Sequence, residues 1–344
     1  MPTRFVFPLI FVTVLCQTVH ARADELVATE NPTSEEAVRR TIEKSLPYVV
    51  EKGLYWIEEK KCVSCHRVSF MTWSLSSASR RGFDVDLAKV NEWIDWSITD
   101  GIPVSKDGKP VATNNADGLA QQLLSKHEYP SGETRDKSWS EYVDLLVAAQ
   151  RKDGSWKPAG QLPGQKRPQP ETTDVSTAWN TLALIREVEG AGDATRQETI
   201  KATIAAARKK FSGRKEAVST EWYAVRLLLA LELGDEAERA TATTELLSHQ
   251  KSDGSWGWLA ADPGDALATG MSLYALATSS GSDPKCEDAV RRAVSFLVNT
   301  QDEDGSWAVK GTKEKKKGDV EETAVYWGTT WAAIALLETL PVVE

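Results

Sequence analysis

The 344-residue chain is poor in the groups from which most reactive sites are built: 4 cysteines, 4 histidines and 3 methionines. Four cysteines in a chain of this length exclude a disulfide-dense scaffold. Acidic residues outnumber basic ones, 50 to 41, for a net charge of −9. That balance excludes a basic nucleic-acid or anionic-lipid surface as the main partner. No apolar run is long enough to span a bilayer, and alternating strand patterns are scarce. What is abundant is tryptophan, 13 residues against 7 Phe and 7 Tyr. The architecture asks for the rarest aromatic residue repeatedly.

The first residues read as an address. Arg4 precedes a 12-residue apolar run, Phe5 to Cys16, too short to cross a membrane, and Ala21-Arg22-Ala23 supplies an A-x-A cleavage pattern. The expectation is a secretory signal peptide over 1–23 and a mature periplasmic or secreted chain over 24–344, without a membrane span. Removing Arg4 and Arg22 leaves 39 basic against 50 acidic residues, a mature charge of −11. Cys62, Cys65 and Cys286 are then the remaining thiols, and His66, His127 and His249 the remaining imidazoles.

Three segments, at 150–156, 250–256 and 301–307, share the pattern Q-x-x-D-G-S-W. Their spacings of 100 and 51 fit a period near 50 with one degenerate copy, the mark of stacked supersecondary units. Each copy follows a one-faced amphipathic segment and precedes one that is apolar almost all round. Asp-Gly stops the first helix. A one-faced helix lies outside and an all-apolar one is buried, so the unit is outer helix, turn, inner helix. Outer helices are expected near 35–60, 84–100, 138–150, 194–211, 236–250 and 285–301. Inner helices are expected near 66–81, 113–126, 173–188, 218–234, 265–279 and 321–339. Twelve such helices close into an all-α, (α/α)6 barrel or toroid forming one domain; a linear solenoid is the alternative. The basic run Lys313–Lys317 reads as a solvated loop.

Arg292 to Trp307 resembles the QW repeat of squalene–hopene cyclases and related prenyltransferase-type toroids. The resemblance implies that Gln150 with Trp156, Gln250 with Trp256, and Gln301 with Trp307 clamp neighbouring outer helices. It does not carry over cyclase chemistry. That family protonates an alkene with the central acid of a D-x-D-D motif at the start of an inner helix, and aligning on Thr177-Ala178 puts Val175 there. Class II terpene cyclase activity is therefore not expected, for want of a proton donor. Asp174 reads as an N-cap. Trp73, Trp179, Trp222, Tyr223, Tyr274, Trp327 and Trp331 fall on inner helices, where they either line a cavity or fill the core.

A second signature is Cys62-Val63-Ser64-Cys65-His66, which resembles the C-x-x-C-H attachment sequence of c-type cytochromes. Composition alone would produce it about 5 times in 10,000 such chains. The resemblance implies thioether anchors at Cys62 and Cys65 and a proximal iron ligand at His66. The motif stands where repeat 1 should carry its clamp turn. A Cys62–Cys65 disulfide and a reduced dithiol remain open readings, while a zinc site lacks a fourth ligand. Met271 is the best protein candidate for a distal ligand, because Met71 is on the helix that follows His66, His127 falls at the far rim and His249 on the outer ring. An open distal position is the other choice. Cys286 reads as a buried thiol. The leading expectation is an exported toroid with one haem c, active in electron transfer or small-molecule redox chemistry with a redox partner protein. Its alternatives are a haem-free toroid binding an isoprenoid, lipid or glycan, and an interaction module.

Overall fold

A computed structural model describes residues 31–61, 67–99, 115–129, 133–159, 164–214, 216–279, 284–316 and 318–343. From Asn31 onward the chain forms one compact unit. The expected signal segment and the motif at 62–66 lie outside the described residues.

Twelve α-helices alternate along the described chain: α1 (Glu35–Tyr55), α2 (Val68–Arg80), α3 (Leu87–Thr99), α4 (Ala116–Ser125), α5 (Glu133–Ala148), α6 (Gln169–Glu187), α7 (Ala194–Phe211), α8 (Thr220–Glu232), α9 (Glu236–Ser248), α10 (Ala266–Ser279), α11 (Pro284–Asn299) and α12 (Glu322–Glu338). Every expected helix is present, within a few residues at its ends. Strand structure among the described residues is limited to isolated bridges.

The burial pattern follows the sequence pattern. On α11 the buried positions Cys286, Ala289, Ala293, Val294 and Leu297 form one stripe at helical spacing, so the helix is external. On α12 every residue from Tyr326 to Leu337 is buried. The even-numbered helices pack in succession, α2 on α4, α4 on α6, α6 on α8, α8 on α10, α10 on α12, and α12 back on α2. In the outer layer α11 meets α1. The ring is a closed toroid, not a linear solenoid. Gly270 lets α10 approach α12 closely, since a Cβ there would stand 2.7 Å from the Trp331 carbonyl carbon.

The three Q-x-x-D-G-S-W turns are clamps, and each motif residue has a defined partner. Gln150 Nε2 donates to Gly154 O (3.0 Å) and across to Thr203 O of α7 (2.9 Å). Gln250 Nε2 donates to Gly254 O and to Ala289 O of α11, both at 2.9 Å. Gln301 Nε2 donates to Gly305 O (3.0 Å) and to Thr41 O of α1 (2.9 Å), which fastens the last repeat to the first. The indole N–H of Trp156, Trp256 and Trp307 returns to a carbonyl in the last turns of its own outer helix, Leu146, Leu246 and Leu297 respectively. Their backbone N–H groups reach Thr177, Thr269 and Thr329 on the following inner helix. The Asp carboxylate folds the turn by accepting from the Ser N–H and hydroxyl two residues on. Glycine is required twice over at Gly305. Its φ is +85°, and a Cβ would run into the Lys44 carbonyl.

One detail differs from expectation. Helix α6 begins at Gln169, with Pro170 in its first turn, so Asp174 is inside the helix and not its N-cap. Its carboxylate instead accepts from Arg214 Nε at 2.7 Å. The tryptophan-rich centre of the barrel is filled. Phe70, Trp73, Trp179, Tyr274 and Trp331 pack against one another with ring centroids 5.3–5.8 Å apart, as edge-on, tilted and stacked pairs.

Candidate functional site

The end of the barrel where the inner helices begin also receives the clamp turns. There, above the aromatic plug, the structure gathers a buried polar layer. Asp117, near the start of α4, is 2 % exposed. It accepts from Ser176 Oγ and Asn180 Nδ2 (3.1 Å) on α6 and from the Ala159 backbone N–H (2.7 Å). Burial pushes its carboxyl up to about 6; the three donors oppose that rise and the charge of Glu221 adds to it. Glu221, at the start of α8, accepts from Arg167 Nη1 at 2.7 Å and from the Trp179 indole N–H at 2.9 Å. Arg167 also donates to Ser219 Oγ (3.1 Å) and lies 5.2 Å from the Trp258 ring centroid. Its Nη2, the Asn180 Oδ1, and both amide atoms of Gln122 are buried without a partner.

This layer brings a carboxyl next to the position that Val175 occupies. Val175 is indeed buried at the expected acid position. The neighbouring Ser176, however, points its hydroxyl at a carboxyl brought from another helix, Asp117. In sequence Asp117 looks like an ordinary first-turn acid, two residues after the Asn115 cap. Only the packing of α4 on α6 puts it in the barrel interior.

Cys62, Cys65 and His66 lie outside the described residues, but their flanks do not. The α1 helix runs on as a π-turn, Trp56–Lys60. Lys61 follows in the left-handed region at φ +48°, the one non-glycine residue there among the described residues. On the other side Arg67 is 1 % exposed and makes a bidentate pair with Glu322, at 2.8 and 2.5 Å. Its guanidinium sits between the Trp56 and Tyr326 rings, 5.0 and 4.4 Å from their centroids. Arg67 Nε and Trp56 Nε1 are buried donors without a partner. Met71 is sealed against α1, since a Cβ on Gly53 would collide with its sulfur. Met271 is fully buried in α10, while Cys286 is a buried thiol on α11. Among the described residues no cluster of His, Cys, Asp and Glu is arranged to hold a metal ion.

The opposite mouth, at the C-terminal ends of the inner helices, opens into a basin of about 880 Å³. His127 lies there, in the 3-10 turn Lys126–Glu128 that follows α4, and its imidazole is pushed down to about 4 by burial and by Arg186 and Lys126. Three of the basin's carboxylates are matched: Glu338 with Arg81 (2.9 Å), Glu128 with Arg80 (2.8 Å) and Glu232 with Arg186 (2.7 Å). His249 ends α9 on the outer ring, against the Tyr223 ring.

The fold is the α/α toroid of several glycan-degrading enzymes. An unsaturated glucuronyl hydrolase from Bacillus sp. GL1, described as responsible for glycosaminoglycan degradation, is similar with a TM-score of 0.58 and 13% identity over 87% of this chain and 96% of its own. A mutant unsaturated glucuronyl hydrolase from Streptococcus agalactiae gives 0.60 at 13% identity, over 92% of this chain and 96% of its own. A type II terpene cyclase from Scytonema, bound to geranylgeranyl dihydroxybenzoate, gives 0.51 at 13% identity, over 88% and 98%. At this identity the likeness is one of fold. No family model and no curated protein matches the chain.

Proposed function

We propose that the protein binds and processes a glycan at the loop-side mouth of the toroid. The observation that carries this reading is the Asp117–Glu221 arrangement, two buried carboxyl groups in unlike surroundings. One is raised toward 6 by burial, and the other is tied to an arginine and an indole. Unlike carboxyl pairs are what acid–base cleavage of a glycosidic bond needs. Asp117 would donate the proton, held in place by Ser176 and Asn180, with Glu221 as the charged partner. The fold shared with glucuronyl hydrolases supports the same reading. An isoprenoid is disfavoured, because aromatic side chains fill the barrel centre and the layer above it is polar.

The test is turnover of a panel of end-labelled neutral and uronate-bearing oligosaccharides. Asp117→Asn should lower kcat at least about 100-fold. The same variant has a second readout. A folded carboxyl at about 6 against about 3.9 unfolded makes the native state hold more protons between those values. Its contribution to stability is fully present below pH 4 and is lost as pH rises through 6. Asp117→Asn should remove that component of the slope, while Asp265, also raised to about 6 by burial, keeps its own. No cleavage or binding of any oligosaccharide would overturn the glycan reading.

A second reading rests on Cys62, Cys65 and His66. We propose that these residues carry covalent haem c on an exported chain that meets a redox partner protein. The flanks fit the group: Arg67 Nε and Trp56 Nε1 are unpaired donors suited to an acidic edge. Bound there, haem would supply one-electron chemistry. The fold comparisons add weight to the glycan reading and none to this one. Co-expression with a cytochrome c maturation system should leave haem on the denatured chain, and replacing both cysteines by Ala should remove it. A haem-free denatured chain would dispose of the haem reading.

A further inference from the structure

The α7–α9 seam of the outer ring has no clamp. The three clamps fasten α5 to α7, α9 to α11 and α11 to α1. The turn that should fasten α7 to α9 spans 213–219 and reads Gly-Arg-Lys-Glu-Ala-Val-Ser, without the Gln, the Asp-Gly pair or the Trp of the pattern. Among the described residues no hydrogen bond or ion pair joins α7 to α9. At this seam a cleft of about 700 Å³ opens onto the side of inner helix α8. That volume is within the range of small-molecule sites, about 300–1,000 Å³.

The chemistry of the walls is one-sided. Arg226 binds both Glu238 and Glu245. The Asp235 carboxylate caps α9, accepting from Glu238 N at 3.0 Å, and Arg214 is held by Asp174. Each of these carboxylates therefore already has a donor. What remains on the polar side is Arg208 and Lys209, exposed on α7 and in no ion pair, and the Trp222 indole. Trp222 is 2 % exposed, and its Nε1 has no partner. All three are donors. The apolar side is formed by Phe211, edge-on to Trp222 at 6.2 Å, with Leu229 and Ala230.

We infer that the unclamped α7–α9 seam is a binding site for a small amphipathic anion, a carboxylate or phosphate on an apolar body. The head group is held by Lys209, Arg208 and the Trp222 N–H, where charge-assisted bonds are strongest. The body lies along Phe211, Trp222 and Leu229, where burial of apolar surface favours it. The site is lateral, on the barrel wall, and shares no lining residue with the Asp117 layer.

Calorimetric titration of the full exported chain with decanoate, decyl phosphate and decanol tests this. One molecule of at least one anion should bind, with decanol at least about tenfold weaker. The better of the two anions identifies the head group. Lys209→Glu, on an exposed position, should weaken anion binding at least about tenfold. Trp222→Phe should weaken it several-fold while Asp117→Asn leaves it unchanged. The inference is overturned if neither anion binds, if decanol binds as tightly as the anions, or if Lys209→Glu has no effect on anion affinity.

Discussion

Trp307→Ala is expected to lower the unfolding free energy by about 3–5 kcal/mol, the range for a fully buried large aromatic side chain. Trp307 is 1 % exposed and its indole N–H is spent on Leu297 O at 2.9 Å. Truncation leaves both a cavity and an unpaired carbonyl. It also loosens the turn through which Gln301 holds α1, 260 residues away in sequence. Gln301→Ala should cost less, about 1–3 kcal/mol, since it removes one donor from two carbonyls. The two variants separate packing from closure. Gln301→Ala should raise amide exchange in α1 and α11 selectively, whereas the same change at Gln150 should raise it in α5 and α7. Urea unfolding and hydrogen exchange measure these effects. A Trp307→Ala loss below about 1 kcal/mol would mean that the ring does not depend on its closing clamp.

Arg167→Ala is expected to cost a similar amount, about 3–5 kcal/mol, for a different reason. The side chains of Arg167 and Glu221 are 0% and 2% exposed, so removing one leaves a buried charge without its counterpart. Replacing both partners with apolar residues of similar size, as in Arg167→Met with Glu221→Leu, should recover much of the loss. The double variant should nevertheless lose function under the glycan reading, because the charged partner of Asp117 is gone. Stability recovered together with activity would make the pair a structural strut only. A thermodynamic cycle over the two single variants and the double reads the coupling directly.

The helices, their inner or outer rank and the repeated motif are legible because each is a local pattern, while the clamp role of the motif is what its resemblance to QW repeats implies. Hydrophobic period, Asp-Gly stops and a seven-residue motif do not depend on distant contacts. The start of α6 was misplaced because its first turn, Gln169 to Thr172, carries prolines on either side of Gln169 and reads as loop, although Pro170 fits a helix start well. Asp174 was then read as a cap, when Arg214, 40 residues away, is its partner. Asp117 carries no local signal that sets it apart from an ordinary first-turn acid. Its character comes from Ser176, Asn180 and the Ala159 N–H, about 40–60 residues distant, and from burial that no local pattern records.

The surplus of tryptophan shows the same division. That three of them belong to clamps follows from the repeated motif. That Trp73, Trp179 and Trp331 meet with a phenylalanine and a tyrosine to fill the barrel centre follows from ring closure. By itself the sequence determined six helix pairs of inner and outer rank, because periodicity and turn chemistry are local and repeated, while their closure into a ring rests on the packing of α12 on α2. The tertiary structure alone decided which carboxyl becomes a buried acid and which seam stays open. Both depend on desolvation and on partners supplied by helices far apart in the chain.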